Sequence, residues 1–275
     1  MKISILGCGT FGSAFGSHLS KLGHDIYKEE IKDADIIFVA VPSYAIREVL
    51  SKHKNDITNQ NIVIGSKGFS DEGELLSRVL ERELPNNKVF FLYGPTLAEG
   101  LANDELSGMV LAGGDDKEEL KNQIESDNLR IELSDDVVGV QVGATFKNVV
   151  NIFIGLVEGA GYGVNTQAFI YTKGLQATKS LGVSMGASMD TFLGLTGAGD
   201  LYLKSRSREL GVEIGKGKPF SQVDREIVYP KEGIAALRNL ANIGKHTGAD
   251  LSFFNLVYAI VFEDMKIEDA LRQIK

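Results

Sequence analysis

The chain has 275 residues, 43% of them hydrophobic, and a formal charge of −8 from 29 basic and 37 acidic side chains. That apolar content suffices for a substantial core in one large or two ordinary domains. The acidic balance argues against a general nucleic-acid binder, whose phosphate contacts need clustered Lys and Arg. One cysteine, Cys8, excludes an internal disulfide, and four scattered histidines offer no cluster of metal-ligand spacing, so a reducing, cytoplasmic setting with no structural metal is expected.

The first run, Met1-Lys2-Ile3-Ser4-Ile5-Leu6, reaches glycine too soon for a signal-peptide core and reads as a strand. Further strands are expected at 25–27, 36–41, 61–66, 89–93, 109–113 and 129–133. Several are continuous apolar runs, the pattern of strands covered on both faces. Helical stretches separate them at 12–22, 45–53, 72–84 and 117–126. Strand–helix–strand alternation predicts an α/β, Rossmann-type, doubly wound parallel sheet. No apolar run approaches the roughly 18 residues needed to cross a bilayer, so no membrane span is expected.

The pattern changes at Ser134. Ser134-Asp135-Asp136 is a helix-start signal, because short polar side chains cap free N–H groups and acids suit the positive dipole end. A long helix should run to about Glu158, with Val138, Val142, Phe146, Val149, Phe153 and Leu156 on an apolar face. More helices are expected at 166–181, 188–194, 209–215 and 231–247 and in two C-terminal segments. The division is therefore a dinucleotide-binding domain, 1–134, and an all-α substrate-binding domain, 135–275, with no flexible linker between them.

Gly7, Gly9 and Gly12 stand directly after the first strand and open the first helix. In this setting the first glycine permits the turn, the second lets backbone approach a pyrophosphate, and the third lets helix and strand pack closely. The helix start then offers N–H groups and a positive dipole end to the anion. Cys8, between them, reads as a small filler. An acid roughly 20 residues further on usually holds the adenosine ribose. Glu29 or Glu30 stands there, and a role for either would favour NAD over NADP; both also read as solvated loop charges. Only 28–35 separates this strand from the next, fewer than the roughly dozen residues of a full crossover with its helix. The adenine side should therefore be trimmed or open.

Further segments narrow the reading. Val41-Pro42-Ser43 closes the third strand, Ser66-Lys67-Gly68 the fourth, and Gly94-Pro95-Thr96-Leu97-Ala98-Glu99 follows the fifth. Phe146-Lys147-Asn148-Val149, Gly197-Ala198-Gly199-Asp200-Leu201, Ser205-Arg206-Ser207-Arg208 and Lys231-Glu232-Gly233 come after. In this order and spacing the chain, from its first strand to about Gly233, resembles the NAD(P)-dependent glycerol-3-phosphate dehydrogenase family. The resemblance implies reversible reduction of dihydroxyacetone phosphate to sn-glycerol 3-phosphate with NAD or NADP as cofactor, feeding glycerophospholipid synthesis, in a homodimer joined through the helical domain. It implies cofactor contacts from Thr10, Phe11, Lys67, Ala98, Arg206 and Glu232, beside the loop glycines. It surrounds the substrate with Lys67, Gly94, Thr96, Lys147, Asp200, Ser205, Arg206 and Ser207, and makes Lys147 the proton donor or acceptor. Two departures stand out: Ser207 occupies a position usually held by Asn, and the segment after Asp200-Leu201 is shorter than in many relatives. The phosphate grip is therefore the most exposed part of the analogy.

The chemistry asks for the same residue types. Hydride addition builds negative charge on a carbonyl oxygen; an ammonium stabilises that charge and delivers the proton. A second lysine lowers the pKa of the first by like-charge repulsion, an Asp orients them, and a phosphate calls for arginine with hydroxyl or backbone donors. Lys147, Lys67 and Asp200 are thus the catalytic candidates. Asn151 and Glu158 share a stripe with Lys147, within about 40° of it at roughly 100° per residue; the ordinary reading of such a stripe is a solvent-facing one. Two alternatives remain: a hydroxyacid, ketopantoate or pyrroline-carboxylate reductase of the same architecture, and a non-catalytic nucleotide-binding protein.

Overall fold

The apolar runs of the first half become seven strands of one sheet: β1 (Lys2–Leu6), β2 (Asp25–Lys28), β3 (Ile36–Val39), β4 (Asn61–Ile64), β5 (Lys88–Tyr93), β6 (Ser107–Gly113) and β7 (Leu129–Ser134). The computed structural model describes residues 1–31 and 33–274. Strand order is β2-β1-β3-β4-β5-β6-β7. Helices α1 (Thr10–Lys21), α2 (Ile46–Lys52), α3 (Leu76–Glu83), α4 (Ala98–Ala102) and α5 (Lys117–Ile124) accompany it. Phe15, Leu19, Leu101, Leu120 and Ile124 cover one face, and Ile46, Leu50, Leu76 and Leu80 the other. Both faces are therefore buried, which is why β3 and β4 read as unbroken apolar runs.

The expectation of a wholly parallel sheet needs one correction, because β5 and β6 pair antiparallel. Only the five-residue α4 lies between them, at roughly 1.5 Å rise per residue too short to recross the face of the sheet. The chain instead makes an excursion at the C-terminal end of β5 and turns back. That detour keeps Gly94–Glu99 beside the ends of β1, β3 and β4.

The clipped connection is present. Residues 29–35 alone join β2 to β3, on opposite sides of β1. At roughly 3.3 Å per residue this span crosses two strand spacings of about 4.8 Å while returning along a four-residue strand. Ile31 and Ala34 bury their side chains on the way. Lys32, within this segment, lies outside the described residues.

After β7 the chain is helical: α6 (Val137–Gly159), α7 (Val164–Ser184), α8 (Asp200–Tyr202), α9 (Arg206–Gly215), α10 (Phe220–Glu226), α11 (Glu232–Arg238), α12 (Leu240–Thr247), α13 (Ser252–Phe262) and α14 (Ile267–Gln273). The cap of α6 is Asp136, whose Oδ1 accepts from Gly139 N at 2.7 Å; its Oδ2 accepts from Ser188 N and Thr191 Oγ1. The expected helix over 231–247 is two helices that meet at Asn239. The expected helix over 188–194 is a single 3₁₀ turn, Asp190–Leu193. The short α4, α8 and α10 and a π turn at Leu195–Gly199 were not anticipated.

The expected one-sided apolar face of α6 is also corrected: from Gly139 to Val157 every residue is buried. By length and composition α6 is apolar enough to cross a membrane, yet 89% of its most hydropathic window is buried inside the structure, the signature of a central core helix. Its first turns, through Val140 and Ala144, join the core beneath the sheet. Its later turns, from Phe146 to Val157, form the axis of the helical core with Phe192, Leu210, Ile234 and Phe254.

Candidate active site

The glycine loop leaves β1 with Gly7 at φ +98°, the left-handed region, packed against the backbone of Ala40 and Val41 so that no side chain fits. A methyl at Gly12 would overlap the Gly7 carbonyl. Gly9 is the N-cap of α1, with no side-chain cap, and Thr10 and Phe11 are its first helical residues. Their amides belong to the first turn, which has no intrahelical acceptors. Phe11 stacks on Phe15 with ring centroids 6.1 Å apart and leans on Phe38. This loop fits a pyrophosphate by shape and by donor supply.

Three chain-distant charges meet beyond the ends of the strands. Lys147 Nζ, from the middle of α6, donates to Asp200 Oδ1 at 2.6 Å, and Lys67 Nζ, three residues past β4, donates to Asp200 Oδ2 at 2.6 Å. Lys67 Nζ also lies 3.4 Å from the Gly94 carbonyl. Asp200 is wholly buried and the Lys147 side chain is 8% exposed, whereas the Lys67 side chain is 22% exposed. Burial pushes the Lys147 ammonium down to about 8; Asp200 pulls against that, and the neighbouring Lys67 charge adds to the lowering. One carboxylate shared between two ammonium groups compensates only one of them. The surplus positive charge makes the pair an acceptor of developing negative charge.

Asp200 reaches this position through the π turn Leu195–Gly199, which it directly follows. Such turns insert an extra residue and re-aim side chains, often at functional sites. Its carboxylate is committed to the lysines rather than to a helix cap. Of the polar stripe on α6, Lys147 and Asn151 are buried and Glu158 is partly exposed. Asn151 Nδ2 donates to the carbonyls of Lys147 and Leu201, tying α6 to α8. Glu158 accepts from Arg208 Nε at 2.6 Å.

The basic cluster at 204–208 therefore divides. Arg208 is spent on Glu158 and Gln167, and Lys204 lies 3.9 Å from Glu158. Arg206, the first residue of α9, forms no ion pair among the described residues; its Nη1 donates to the Val228 carbonyl. Ser205 is the buried N-cap of α9, and its Oγ has no partner. Ser207 is fully buried and donates to Asn148 Oδ1 at 3.4 Å. It packs α9 against α6. Thr96 Oγ1 donates to the Gly108 carbonyl, and Ala98 opens α4.

Glu232 opens α11 with Oε2 buried and unpartnered, and burial raises its carboxyl pKa. Ser43, quoted in sequence only as the end of a strand segment, has a buried, unpartnered Oγ facing Gly68. A methyl built on Gly68 would overlap it and lie 3.5 Å from Glu232 Cγ. Ser43 and Glu232 thus bring orphaned polar atoms to the same small region beside Lys67. Buried groups of this kind call for a polar ligand, and with the glycine loop they fit a dinucleotide cofactor. The only signal for Ser43 in sequence was its place just past a central strand.

A glycine loop on a Rossmann-type sheet, completed by a lysine from the sheet side and a buried lysine from the helical side that share one buried carboxylate, defines an NAD(P)-dependent oxidoreductase. Residues 24–119 match the description NAD-dependent glycerol-3-phosphate dehydrogenase N-terminus, and residues 136–272 the corresponding C-terminus. The chain belongs to the NAD-dependent glycerol-3-phosphate dehydrogenase family. It is 31% identical to the glycerol-3-phosphate dehydrogenase [NAD(P)+] of Thermoanaerobacter sp. (strain X514) over 96% of this chain and 93% of that one. It is 30% identical to that of Clostridium perfringens (strain SM101 / Type A) over 98% and 96%. The crystal structure of glycerol-3-phosphate dehydrogenase from Coxiella burnetii superposes with a TM-score of 0.90 at 24% identity, covering 99% of this chain and 98% of that one. A ketopantoate reductase from Ralstonia eutropha shares the fold more distantly, with a TM-score of 0.62 at 14% identity over 99% of this chain and all of that one.

Proposed function

We propose that this protein reduces dihydroxyacetone phosphate reversibly to sn-glycerol 3-phosphate, supplying glycerophospholipid synthesis, with Lys147 as the proton donor and acceptor. The observation that carries the chemistry is the sharing of one buried carboxylate, Asp200, by Lys147 and Lys67. Family membership supports this reading over the hydroxyacid and ketopantoate alternatives.

When bound, the reduced nicotinamide supplies the hydride. Gly7, Gly9, Thr10, Phe11 and Gly12 would hold its pyrophosphate, with Lys67, Ala98, Arg206 and Glu232 around the rest. Lys147 then stabilises the charge that develops on the substrate oxygen and gives it a proton from Nζ. Asp200 fixes the direction of that N–H, and Lys67 adds positive charge from the strand side. Gly94, Thr96, Ser205 and Arg206 would contact the substrate, with Arg206 as the phosphate partner. Ser207 would act on the phosphate only through α9, since its hydroxyl is spent on Asn148.

We read 1–134 and 135–275 as the two domains, a cofactor half and a substrate half, with the site between them. We also propose a cytoplasmic homodimer joined through the helical half, where α7 leaves Val164, Phe169 and Val183 exposed. The deciding assay offers dihydroxyacetone phosphate and a panel of oxo acids with NADH and with NADPH. Turnover confined to the phosphate ketone is expected; turnover of an oxo acid without it rejects the reading.

A further inference from the structure

Asp200 serves Lys147 only while its carboxylate is aimed, and the chain on either side of it is held by a side chain from a different helix. After it, Asn151 of α6 donates from Nδ2 to the Leu201 carbonyl at 3.4 Å. Before it, Tyr171 of α7 donates from its hydroxyl to the Ala198 carbonyl at 2.9 Å. Ala198 belongs to the π turn Leu195–Gly199, which closes where Gly199 N donates to the Gly194 carbonyl at 3.1 Å. Packing wedges the start of this turn. A methyl on Gly143 of α6 would overlap the Thr196 carbonyl, and one on Gly197 would overlap the backbone of Phe192. A methyl on Gly108 of β6 would crowd the Leu195 side chain. Close contact thus fixes Leu195, Thr196 and Gly197, and the Tyr171 hydroxyl takes hold of Ala198, two residues short of Asp200. Tyr171 lies 27 residues before the carbonyl it holds, so no local pattern in the sequence pairs them.

We propose that Tyr171 is a positioning residue of this active site, its hydroxyl fixing the turn that aims Asp200 at Lys147. The inference rests on the dehydrogenase reading, with Lys147 as the proton donor, and deepens it. The hydroxyl is spent on a backbone carbonyl and acts through it. A π turn is a rare element that clusters at functional sites. Here it depends on its neighbours for its shape, since α8, which follows it, is only three residues long. Burial raises the Tyr171 phenol above its ordinary value, so it stays a donor over the range in which Lys147 titrates. Slackening Asp200 takes from Lys147 part of the pull that keeps its ammonium charged. The other ionisable groups facing Lys147 among the described residues are Lys67, past β4, and Glu232, at the start of α11. A substitution at Tyr171 removes neither.

Tyr171→Phe keeps the ring and removes only the hydroxyl. With dihydroxyacetone phosphate and NADH its kcat should fall roughly three- to tenfold, the scale of one part-buried hydrogen bond. KM should change little, because Arg206 sits on another helix. The pH inflection for reduction should move below that of the wild type, since a carboxylate that bonds Lys147 less often raises its pKa less. Without substrate, amide hydrogen exchange over 196–201 should be faster in Tyr171→Phe than in the wild type. Thr172→Val removes the adjacent α7 hydroxyl, which bonds the Ala168 carbonyl of its own helix, and should change none of these readings. An unmoved inflection, unmoved exchange over 196–201, or equal shifts in Thr172→Val overturns the proposal. A wild type that leaves dihydroxyacetone phosphate unreduced fails the dehydrogenase reading instead, and exchange still decides whether Tyr171 holds the turn.

Discussion

A lysine ammonium at 8% exposure has lost nearly all of its water, and Lys147 regains only half a carboxylate in exchange, because Asp200 also serves Lys67. That imbalance brings its pKa to about 8, where it can both give and take a proton near neutrality. Reduction needs Lys147 protonated, so its rate should fall as pH rises through about 8, while the reverse oxidation should rise over the same interval. Steady-state pH profiles in both directions check this, and a flat reduction profile would count against Lys147 as the acid. Lys147→Ala should lose roughly 10²-fold or more in kcat, as for other lost general acids, with NADH affinity little changed. Lys67→Met removes the neighbouring charge that helps to lower Lys147 and leaves Asp200 undivided. Whatever its residual rate, its inflection should lie at higher pH than in the wild type; an inflection that stays put would uncouple the two lysines.

Helices α6 and α9 meet backbone to backbone. A methyl at Gly155 would overlap the Arg208 carbonyl, one at Gly159 the Val212 carbonyl, and one at Gly211 the Ile152 carbonyl. Ser207, next on this interface, is small enough to be buried against Asn148. The same contact that carries Lys147 on one helix thus carries Arg206 at the start of the other. Gly211→Ala should force the helices apart, at about 1–3 kcal/mol for an overpacked core site, read as a lower urea midpoint with an unchanged slope. Because α9 would shift with its first residue, KM for dihydroxyacetone phosphate should rise more than kcat falls. A variant that melts lower with unchanged KM would show that α9 is held by something other than this seam.

At the scale of the molecule, α6 is an axle through two cores. Val140 and Ala144 pack under the sheet, and Phe146 to Val157 pack among the other helices. Lys147 lies just past the point where one core gives way to the other, which is why it can meet Lys67 from the strand side. With α6 covered all round, apolar residues left on α7, Val164, Phe169 and Val183, lie on the outside. Sedimentation of the purified chain should give roughly twice its 29.8 kDa, and Phe169→Glu should shift it towards the single-chain mass. Sedimentation of the wild type as a monomer would reject the proposed dimer.

Local chemistry alone carried much of this. Short β-rich runs bounded by turns marked all seven strands to within two residues at each end, most plainly the central β3 and β4, because a strand buried on both faces has few polar interruptions to hide it. Gly7, Gly9 and Gly12 were legible because their need is steric and local. Lys67, Lys147 and Asp200 were named by the family resemblance, with local support from a lysine past a strand, a lysine on an apolar helix and an acid that follows a glycine-rich turn. Their sharing of one carboxylate was not legible, since it depends on three segments far apart in the chain. Pairing decisions were equally out of reach: that Arg208 is spent on Glu158 while Arg206 is not, that Ser207 turns inward, and that β6 runs backwards. The sequence by itself determined the strands, the long helices and which residue types the chemistry has available. Only the tertiary structure decided which charges are neutralised and which are left over, because neutralisation is a matter of a few ångströms across the fold and not of spacing along the chain.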